Sequence, residues 1–458
     1  MVVSSRGGDR LQPKPALRFE APAPARKPDF RVDPSVRYQT IAGFGASFME
    51  AGMICLNSLP KDRQEALLQS LFDPEKGAGF SAMKTPIAGT DFMSAGPWYS
   101  YDDTAGDVEM KHFSIARDLG RNGVLTFIKR ARQHGSFLLQ APMDYPPDWM
   151  LYDVATNQDV DPRYFPALAR YYLRYLQEYE RNGVFVDYLS LFNEPGVYTT
   201  IPYQKIRVLL KEHVGPLFRK EGVKTRLVAS EAMDRPDASR NFPTILDDPE
   251  ARQYVSAMLY HGYRLKEEEL AGLAALVRKY PELPLWQTEI CHCYYSGTPR
   301  CVPIPQRHFE DGDYWVNQIL TDLESNASAW IYWNLILDED GGPWLVSPEH
   351  KNSDVNVQHA VVHVDRKTHE VRHTGLYYYL AHFSRYVRPG AVRVATTGEV
   401  PRVRCVSFRS PEGNIVAQLV NSRDLEAGVE LDAGGRRLRV ALPPVSITTC
   451  RWKPPAGS

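Results

Sequence analysis

The 458-residue sequence predicts a closed (β/α)8 barrel of the TIM type, joined to a small antiparallel β-sandwich side domain. Eight short apolar runs alternate with helical segments over about 330 residues, which is the pattern of such a barrel. Most of these runs are continuous, as expected for parallel strands that are buried on both faces. After about residue 376, short strands and turns replace the helical segments, which indicates a separate all-β module.

The predicted barrel strands are short, and helical segments separate most of them. The strands are residues 41–48, 80–88, 136–143, 186–192, 225–230, 257–260, 283–288 and 327–335. Gly135 and Gly183 stand directly after two of the helical segments, where glycine is the preferred residue. An open, doubly wound sheet would need a glycine-rich phosphate loop after the first strand, and Gly43-Phe44-Gly45 lacks the third glycine of that motif.

The chain divides into three predicted parts. Residues 1–30 form a Pro-rich basic leader that we expect to be disordered or to lie along the surface, because its composition cannot build a core. Residues 41–375 form the barrel, and residues 376–458 form the β-sandwich. That module carries twelve Lys/Arg against six Asp/Glu, so it could favour an anionic surface, although solvated arginines at strand edges are the simpler explanation. Its predicted strands are residues 392–395, 403–408, 415–420, 438–442 and 446–451.

Composition and charge exclude several classes of function. The chain has 54 Lys+Arg against 55 Asp+Glu, so the global positive charge of a nucleic-acid-binding protein is absent. No run of 18 apolar residues predicts a transmembrane segment. The N-terminal segment lacks the apolar region of a signal peptide, so we expect either a cytoplasmic protein or a secreted one whose signal has been removed.

Two glutamates stand at the ends of predicted strands on opposite sides of the barrel. Glu194 follows the fourth strand in the run Asn193-Glu194-Pro195, and Glu289 follows the seventh. Barrel enzymes carry their chemistry at the carboxyl ends of the strands, so both side chains would face the mouth. Two carboxyl groups across one bond are what glycoside hydrolysis requires, since one protonates the leaving oxygen and the other attacks the anomeric carbon or activates water. This pair predicts a glycosidase that needs no metal and no other cofactor.

A series of short motifs also runs through residues 41–390 in a specific order. The motifs are Gly43-Phe44-Gly45, residues 86–92, residues 99–103, residues 113–115, Asn193-Glu194-Pro195, residues 261–263, Thr288-Glu289, Trp333-Asn334-Leu335, residues 341–343 and residues 381–384. In number and order they resemble glycoside hydrolase family 30, the group that includes glucosylceramidase. The resemblance implies that Glu194 is the acid/base and Glu289 the nucleophile of a retaining double displacement at β-glycosidic bonds. It also implies a carbohydrate or glycoconjugate substrate, and a strand from about residues 31–40 within the β-sandwich.

The resemblance further implies which residues contact the sugar. Asp91 is similar to the carboxylate that accepts hydrogen bonds from sugar hydroxyls, and Asn193 to the donor for the 2-hydroxyl. Trp333 looks like the aromatic platform under the ring, and Tyr263 is expected beside the nucleophile. Asp91 could instead cap a helix or turn, and Trp333 could belong to the core. The other expected substrate contacts are His261, Trp149 and Asn334. Asp144, which departs from the family pattern, adds a possible acceptor for a sugar hydroxyl.

Three departures from the family concern the sugar pocket. Lys84 stands where relatives usually have arginine, whose bidentate fork lysine cannot supply. The run over residues 141–149 is one residue longer than the corresponding run of glucosylceramidases, so Met143 or Asp144 takes the position of a sugar-contacting tryptophan. Gly262 replaces a frequent tryptophan. The leading hypothesis is β-glucosidase or glucosylceramidase activity, hence a role in sphingolipid metabolism. The alternatives are β-1,6-glucanase or galactanase and β-xylosidase or xylanase activity.

Two further interpretations come from other classes of protein. A non-catalytic, carbohydrate-binding barrel would be favoured by the loss of either glutamate, and both are present. Cys291, Cys293 and Cys301 are close in sequence, but Cys-x-Cys spacing is unusual for structural zinc and no second Cys/His pair follows. Whether Cys293 and Cys301 form a disulfide stays open at the level of the sequence.

Overall fold

A parallel sheet of eight strands forms the centre of the larger part of the protein. The computed structural model describes residues 1–21, 27–93, 96–197, 199–263, 267–295, 309–345 and 356–454. The eight barrel strands are Gly43–Ser47, Ala82–Lys84, Leu138–Pro142, Tyr188–Ser190, Arg226–Val228 with Glu231–Ala232, Met258–His261, Leu285–Glu289 and Ala327–Asn334. All of these strands are almost entirely buried, which explains why they appear in the sequence as continuous apolar runs.

The barrel closes through its fifth strand, which runs in two short pieces. Arg226–Val228 pairs with the fourth strand, Tyr188–Ser190, and Glu231–Ala232 pairs with the sixth, Met258–His261. The eighth strand pairs in parallel with the first. The strands therefore follow one another around a ring in chain order, and the prediction of a (β/α)8 barrel is confirmed.

Helices connect successive strands and pack on the outside of the barrel. The longest, Phe165–Arg181, buries Leu168, Tyr172, Leu176 and Tyr179, which is the face that their spacing predicts. The α-helices are Glu50–Ser58, Lys61–Phe72, Val124–Ala131, Phe165–Arg181, Tyr203–Val208, Gly215–Lys220, Arg235–Leu246, Pro249–Arg252, Glu267–Lys279, Asp311–Glu324 and Gly375–Tyr386. The helical turn Leu209–Val214 joins Tyr203–Val208 to Gly215–Lys220.

Nine further strands form the β-sandwich. They are Val2–Ser5, Gln12–Pro13, Phe30–Thr40, Val392–Thr397, Val403–Arg409, Ile415–Asn421, Ala427–Ala433, Arg437–Leu442 and Ser446–Trp452. Phe30–Thr40 pairs antiparallel with Val392–Thr397 and parallel with Ala427–Ala433, so this N-terminal strand lies inside the sheet. The module has its own apolar core, separate from that of the barrel, and this core includes Phe30, Leu419, Val429, Leu431 and Val440.

The N-terminal leader differs from the expectation that residues 1–30 are disordered. Val2–Ser5 forms an antiparallel strand with Ser446–Trp452, and the Ser4 hydroxyl lies 3.0 Å from Nε2 of the buried His382. The expectation of disorder is therefore wrong for residues 2–5 and for residues 12–13, which pair with them. An average composition over the whole leader conceals these two short strands, the first of which contains the apolar, buried Val3. Residues 22–26 lie outside the described ranges.

Short strand pairs extend the loops that follow the barrel strands. They are Leu151–Asp153 with Asn157–Val160, Cys293–Tyr295 with Asn356–Gln358, and the three-stranded set Ile336–Asp338, Val362–Val364 and Val371–His373. Cys301 and the side chain of Cys293 lie outside the described residues, and so does their possible disulfide. Within the described ranges, no helix combines the length and the apolar character needed to cross a bilayer.

Candidate active site

The ends of the fourth and seventh strands bring Glu194 and Glu289 together at the mouth of the barrel. One carboxylate oxygen of each and one ring nitrogen of His261 lie within 4.8 Å of one another. Glu194 is 7% exposed, Glu289 is 6% exposed, and His261 is fully buried at the end of the sixth strand. Three residues that the sequence analysis selected separately therefore form a single cluster.

The backbone holds Glu194 in an unusual conformation. The N–H of Asn193 donates to the carbonyl of Met143 over 2.8 Å, and the N–H of Glu194 donates to the carbonyl of Glu231 over 3.0 Å. These bonds fix the end of the fourth strand between the third and fifth strands. Glu194 has a φ of 45°, a left-handed conformation that costs a residue other than glycine about 1–3 kcal/mol. Such strain is frequent at functional sites, where the surrounding structure maintains it.

His261 is the cation of this cluster. Its Nδ1 lies 2.6 Å from Oε1 of Glu194, and its Nε2 lies 3.3 Å from Oε2 of Glu231. Although burial opposes the charge, Glu289 and Glu194 raise the pKa of His261 to about 10. The imidazole is therefore protonated at neutral pH and donates from both nitrogens. Burial and the neighbouring Glu289 raise the pKa of Glu194, while the charge of His261 opposes that rise.

The same three residues are close enough to be tested as ligands of a metal ion. A metal ligand needs a free lone pair, and Nδ1 of His261 already lies 2.6 Å from Oε1 of Glu194 in a hydrogen bond. His261 would therefore have to give up this hydrogen bond to coordinate an ion through Nδ1.

Lys84 lies at the end of the second strand, fully buried, and connects three polar groups. Its Nζ donates to Oε2 of Glu289 over 2.9 Å, to Oε2 of Glu231 over 3.0 Å and to Oδ1 of Asn193 over 3.1 Å. Although burial opposes its charge, Glu231 and Glu289 raise the pKa of Lys84. The ammonium also lies 4.9 Å from the centre of the Trp333 ring, which places that buried tryptophan in the wall of the site.

Glu231 is a buried carboxylate that the sequence analysis missed. Besides Lys84, it accepts hydrogen bonds from Nε2 of Gln140 over 2.6 Å and from the Thr288 hydroxyl over 2.7 Å. Burial opposes its charge, but Lys84 and His261 lower the pKa of Glu231 to about 2. A signal was present in the sequence, because Glu231 directly follows the predicted fifth strand, in the position that singled out Glu194 and Glu289.

Both oxygens of Glu289 are engaged by hydrogen-bond donors. The Tyr263 hydroxyl donates to Oε1 over 3.2 Å, and the Lys84 ammonium donates to Oε2 over 2.9 Å. The Tyr263 oxygen also lies 3.3 Å from the Cys291 sulfur, which fixes the ring beside the carboxylate. The structure thus places Tyr263 next to Glu289, where the family resemblance expects it.

Asp91 is held by a chain of side-chain amides. Its Oδ1 accepts from the Thr90 hydroxyl over 2.9 Å, and its Oδ2 accepts from Nδ2 of Asn356 over 2.9 Å. Asn356 accepts in turn from Gln358 over 3.0 Å, and Gln358 accepts from Asn334 over 2.7 Å. Burial raises the pKa of Asp91 to about 6. Asn334, an expected substrate contact, therefore connects to the site through this chain, and Asn356 is a second residue that the sequence analysis missed.

The loop after the third strand carries a carboxyl group, that of Asp144, close to the charged groups of the site. Met143 is fully buried in the barrel core, whereas Asp144 is 3% exposed and lies among charged groups. Burial raises the pKa of Asp144 well above its usual value, while Lys84 opposes this rise and Asp91 and Glu289 add to it. Of the two residues that could occupy the tryptophan position of the relatives, Asp144 is the polar one near the carboxylates.

The described contacts of Trp149 belong to the loops around the site. Its indole N–H donates to the carbonyl of Asp102 over 2.9 Å, and its ring lies edge-on to Tyr164 with centroids 5.2 Å apart. Among the described residues, none of its hydrogen bonds or ring contacts reaches Glu194 or Glu289. A direct contact of Trp149 with the sugar stays a prediction.

Models of known families match both parts of the chain. The glycosyl hydrolase family 30 TIM-barrel domain matches residues 41–387, and the glycosyl hydrolase family 30 beta sandwich domain matches residues 390–450. Together they cover most of the sequence.

Individual relatives agree with these matches. Putative glucosylceramidase 3 of Caenorhabditis elegans is 28% identical over 98% of this chain and 87% of its own. Endo-1,6-beta-D-glucanase of Neurospora crassa is 29% identical over 80% of this chain and 74% of its own. The solved structure of the endo-beta1,6-glucanase BT3312 has the same fold, with a TM-score of 0.83 at 24% identity over 99% of this chain and 98% of that one. The chain therefore belongs to glycosyl hydrolase family 30, and it is a glycoside hydrolase with a carbohydrate substrate.

Proposed function

We propose that this protein hydrolyses β-glycosidic bonds with retention of configuration. The observation that carries the proposal is the proximity of the two glutamates, since oxygens of Glu194 and Glu289 lie within 4.8 Å of each other. Retaining glycosidases hold their two carboxyl groups about 5–5.5 Å apart, whereas inverting enzymes leave about 6.5–9.5 Å for a water molecule. Two oxygens this close are compatible with the shorter of these separations and support direct attack by a carboxylate.

The environments of the two glutamates support different roles. Burial and Glu289 raise the pKa of Glu194, so Glu194 suits the acid that must hold a proton before the reaction. Glu289 accepts hydrogen bonds from Lys84 and Tyr263, a setting that suits a carboxylate nucleophile. His261 touches Glu194 and lies 3.5 Å from Glu289, so it orders both groups.

The proposed reaction has two steps. Glu289 attacks the anomeric carbon while Glu194 gives its proton to the glycosidic oxygen, so the leaving alcohol departs and a covalent glycosyl ester forms. Glu194, now a carboxylate, then takes a proton from water as the water oxygen attacks the same carbon and releases Glu289. Two inversions leave a β-configured product. No residue outside this pair is needed to transfer a proton.

The surrounding residues support the binding of a neutral sugar. Asp91 and Asn193 provide the expected acceptor and donor for ring hydroxyls, and Trp333 provides an apolar ring face. The two cations of the site, Lys84 and His261, are already paired with Glu231, Glu289 and Glu194. They are therefore not available to an anionic sugar, whereas hydroxyl groups find several hydrogen-bond partners.

Two substrate classes remain as candidates within this mechanism. A β-glucoside such as glucosylceramide is the first, supported by the similarity to the putative glucosylceramidase of C. elegans along nearly the whole chain. A β-1,6-glucan is the second, supported by the similarity to the endo-1,6-beta-D-glucanase of N. crassa. The excess of Lys/Arg over Asp/Glu in residues 376–458 would suit glucosylceramide in an anionic bilayer.

One experiment separates these possibilities. Purified protein is incubated with aryl β-glucoside, β-1,6-glucan and glucosylceramide in neutral or anionic vesicles, and the first product is followed by proton NMR. We expect the β-anomer to appear before mutarotation. An α-anomer as first product would contradict retention. The substrate with the highest kcat/KM identifies the class, and turnover of xylan alone would contradict both candidates.

A further inference from the structure

The side chain of Asp144 has a buried carboxyl oxygen to which no hydrogen bond is made in the described part of the chain. The residue directly follows Met143 in the loop after the third barrel strand, Leu138–Pro142, and it is only 3% exposed. Its Oδ1 has no hydrogen-bond partner among the residues that the structure describes. A buried carboxyl oxygen without a partner is costly, about 1–3 kcal/mol, and such an atom in a pocket is explained when a ligand supplies the missing bond.

The neighbours of Asp144 place this atom in the sugar pocket. The carboxyl group interacts with the charges of Lys84, Asp91 and Glu289, and it is within hydrogen-bond reach of the Thr90 hydroxyl. Thr90 also donates to Asp91 over 2.9 Å, so the two aspartates flank one threonine. Asp144 therefore lies beside the expected hydroxyl acceptor of the site, although it comes from a different strand.

The same neighbours act on the protonation of the carboxyl group. Burial removes the water that would stabilise a negative charge, and Asp91 and Glu289 are both acidic, so the pKa of Asp144 is raised well above its usual value. Lys84 opposes this effect, but its ammonium is already hydrogen-bonded to Glu231, Glu289 and Asn193. A carboxyl group accepts a hydrogen bond from a sugar hydroxyl in either protonation state, and it can also donate one when it is neutral.

The arrangement of the strands indicates which hydroxyl is in reach. Glu194 and Glu289 close on the anomeric carbon from the fourth and seventh strands, and Asn193 is the expected partner of the adjacent 2-hydroxyl. Asp91 and Asp144 follow the second and third strands instead. A pyranose ring that meets both sets of residues presents its hydroxyls at C3, C4 or C6 to the two aspartates.

We propose that the carboxyl group of Asp144 forms a hydrogen bond with one sugar hydroxyl remote from the anomeric carbon and so selects for glycosides that carry it. This inference rests on the proposed function, because it assumes that a β-linked sugar occupies the pocket. It assigns to Asp144 a role in substrate specificity, which the mechanism of bond cleavage does not require.

The test is a cycle of two changes, one in the protein and one in the sugar. Wild type, Asp144→Leu and Asp144→Asn are assayed for kcat/KM on an aryl β-glucoside and on its 3-deoxy, 4-deoxy and 6-deoxy analogues. At one of these positions the wild type should lose about 10- to 100-fold on removal of the hydroxyl, since a buried polar group is then left unpaired. Removal of the same hydroxyl should lower kcat/KM of Asp144→Leu by less than about 3-fold. Asp144→Asn keeps a hydrogen-bonding group at this position, so its loss of kcat/KM on the deoxy analogue should be close to that of the wild type.

Equal deoxy penalties in wild type and Asp144→Leu at every position would overturn the proposal, because the lost hydroxyl would then have no bond to the Asp144 carboxyl group.

Two controls separate this inference from its assumption. Asp148→Asn changes an exposed carboxyl group in the same loop and should keep the wild-type pattern of penalties. Circular dichroism and thermal unfolding show whether Asp144→Leu is folded, and Asp144→Asn provides the near-isosteric variant if it is not. If the wild type hydrolyses none of the parent β-glycosides, the proposed function fails and this inference fails with it. If the wild type hydrolyses a parent β-glycoside but Asp144→Leu shows the same loss of kcat/KM on every deoxy analogue, only the inference about Asp144 is refuted and the proposed function stands.

Discussion

The Nζ atom of Lys84 lies 2.9 Å from Oε2 of Glu289, so the second barrel strand supplies a cation directly to the proposed nucleophile on the seventh. The same ammonium contacts Glu231 and Asn193. Lysine lacks the planar fork of the arginine that relatives usually carry at this position, yet three acceptors within 3.1 Å use its three protons. The departure that the sequence shows here is therefore compatible with an ordered site.

Replacement of this cation should damage both activity and stability. In Lys84→Met, Glu231 and Glu289 lose their shared partner, and an unpaired buried charge typically costs about 3–5 kcal/mol. We expect kcat/KM on an aryl β-glucoside to fall by at least about 100-fold. Urea unfolding measures the change in stability. Lys279→Met, which removes a half-exposed ion pair with Asp247, is the control and should change the stability by less than about 1 kcal/mol.

The acid role of Glu194 predicts a dependence on the leaving group. Glu194→Ala should lose about 100- to 10,000-fold in kcat/KM for alkyl glucosides, which need protonation, and much less for dinitrophenyl glucoside, which does not. Added azide should restore turnover and give a β-glucosyl azide, because the space left by Glu194 admits an anion. The exposed Glu212 supplies the control Glu212→Ala. If Glu194→Ala lost the same factor in kcat/KM on alkyl glucosides and on dinitrophenyl glucoside, another residue would have to be the general acid.

His261 should control the basic limb of the pH profile. Its positive charge opposes the rise in the pKa of Glu194, so its removal lets that pKa increase further. A higher pKa keeps Glu194 protonated to a higher pH, and the basic limb of kcat/KM in His261→Gln should therefore move upward. His112→Gln changes a histidine whose side chain is 65% exposed and should leave the profile unchanged. A downward movement would show that His261 does not act on Glu194 in this way.

Glu231 should contribute stability that disappears in acid. Its pKa is about 2 in the folded protein and 4.5 as an ordinary glutamate, so the folded state favours the anion. This contribution is complete above pH 4.5 and is lost as the pH falls toward 2. Glu231→Gln should lower the free energy of unfolding at pH 7 by about 3 kcal/mol, because folding lowers the pKa of this carboxyl group from 4.5 to about 2. The difference in the free energy of unfolding between Glu231→Gln and wild type should become smaller below pH 4.5. Glu250→Gln, which changes an exposed carboxyl group, should have nearly the wild-type free energy of unfolding at any pH.

The sequence was sufficient for the barrel and for the two proposed catalytic residues. Buried parallel strands are apolar along their whole length, so their positions were visible without any structure. The carboxyl ends of the strands then indicated Glu194 and Glu289. The same rule applies to Glu231 at the end of the fifth strand, which was overlooked because its run ends in small polar and apolar residues without a recognised motif.

Other features depend on contacts that no local pattern encodes. Asn356 donates to Asp91 although 265 residues separate them, and it lies on a short strand outside the eight barrel strands. Val2–Ser5 becomes a strand only because Ser446–Trp452 offers a free edge, so its composition alone predicted disorder. The orphaned oxygen of Asp144 was equally inaccessible from the sequence, since burial and the lack of a partner are properties of the folded site.

The central claim is that Glu289 forms a covalent bond with the sugar. A 2-deoxy-2-fluoro-β-glucosyl fluoride traps such an intermediate, because fluorine at C2 slows its hydrolysis while the good leaving group allows it to form. Peptide mapping by mass spectrometry should show one added fluoroglucosyl group on Glu289 in the wild type and none in Glu289→Gln. A stable label on a different residue, or an α-configured first product without any covalent adduct, would contradict the account.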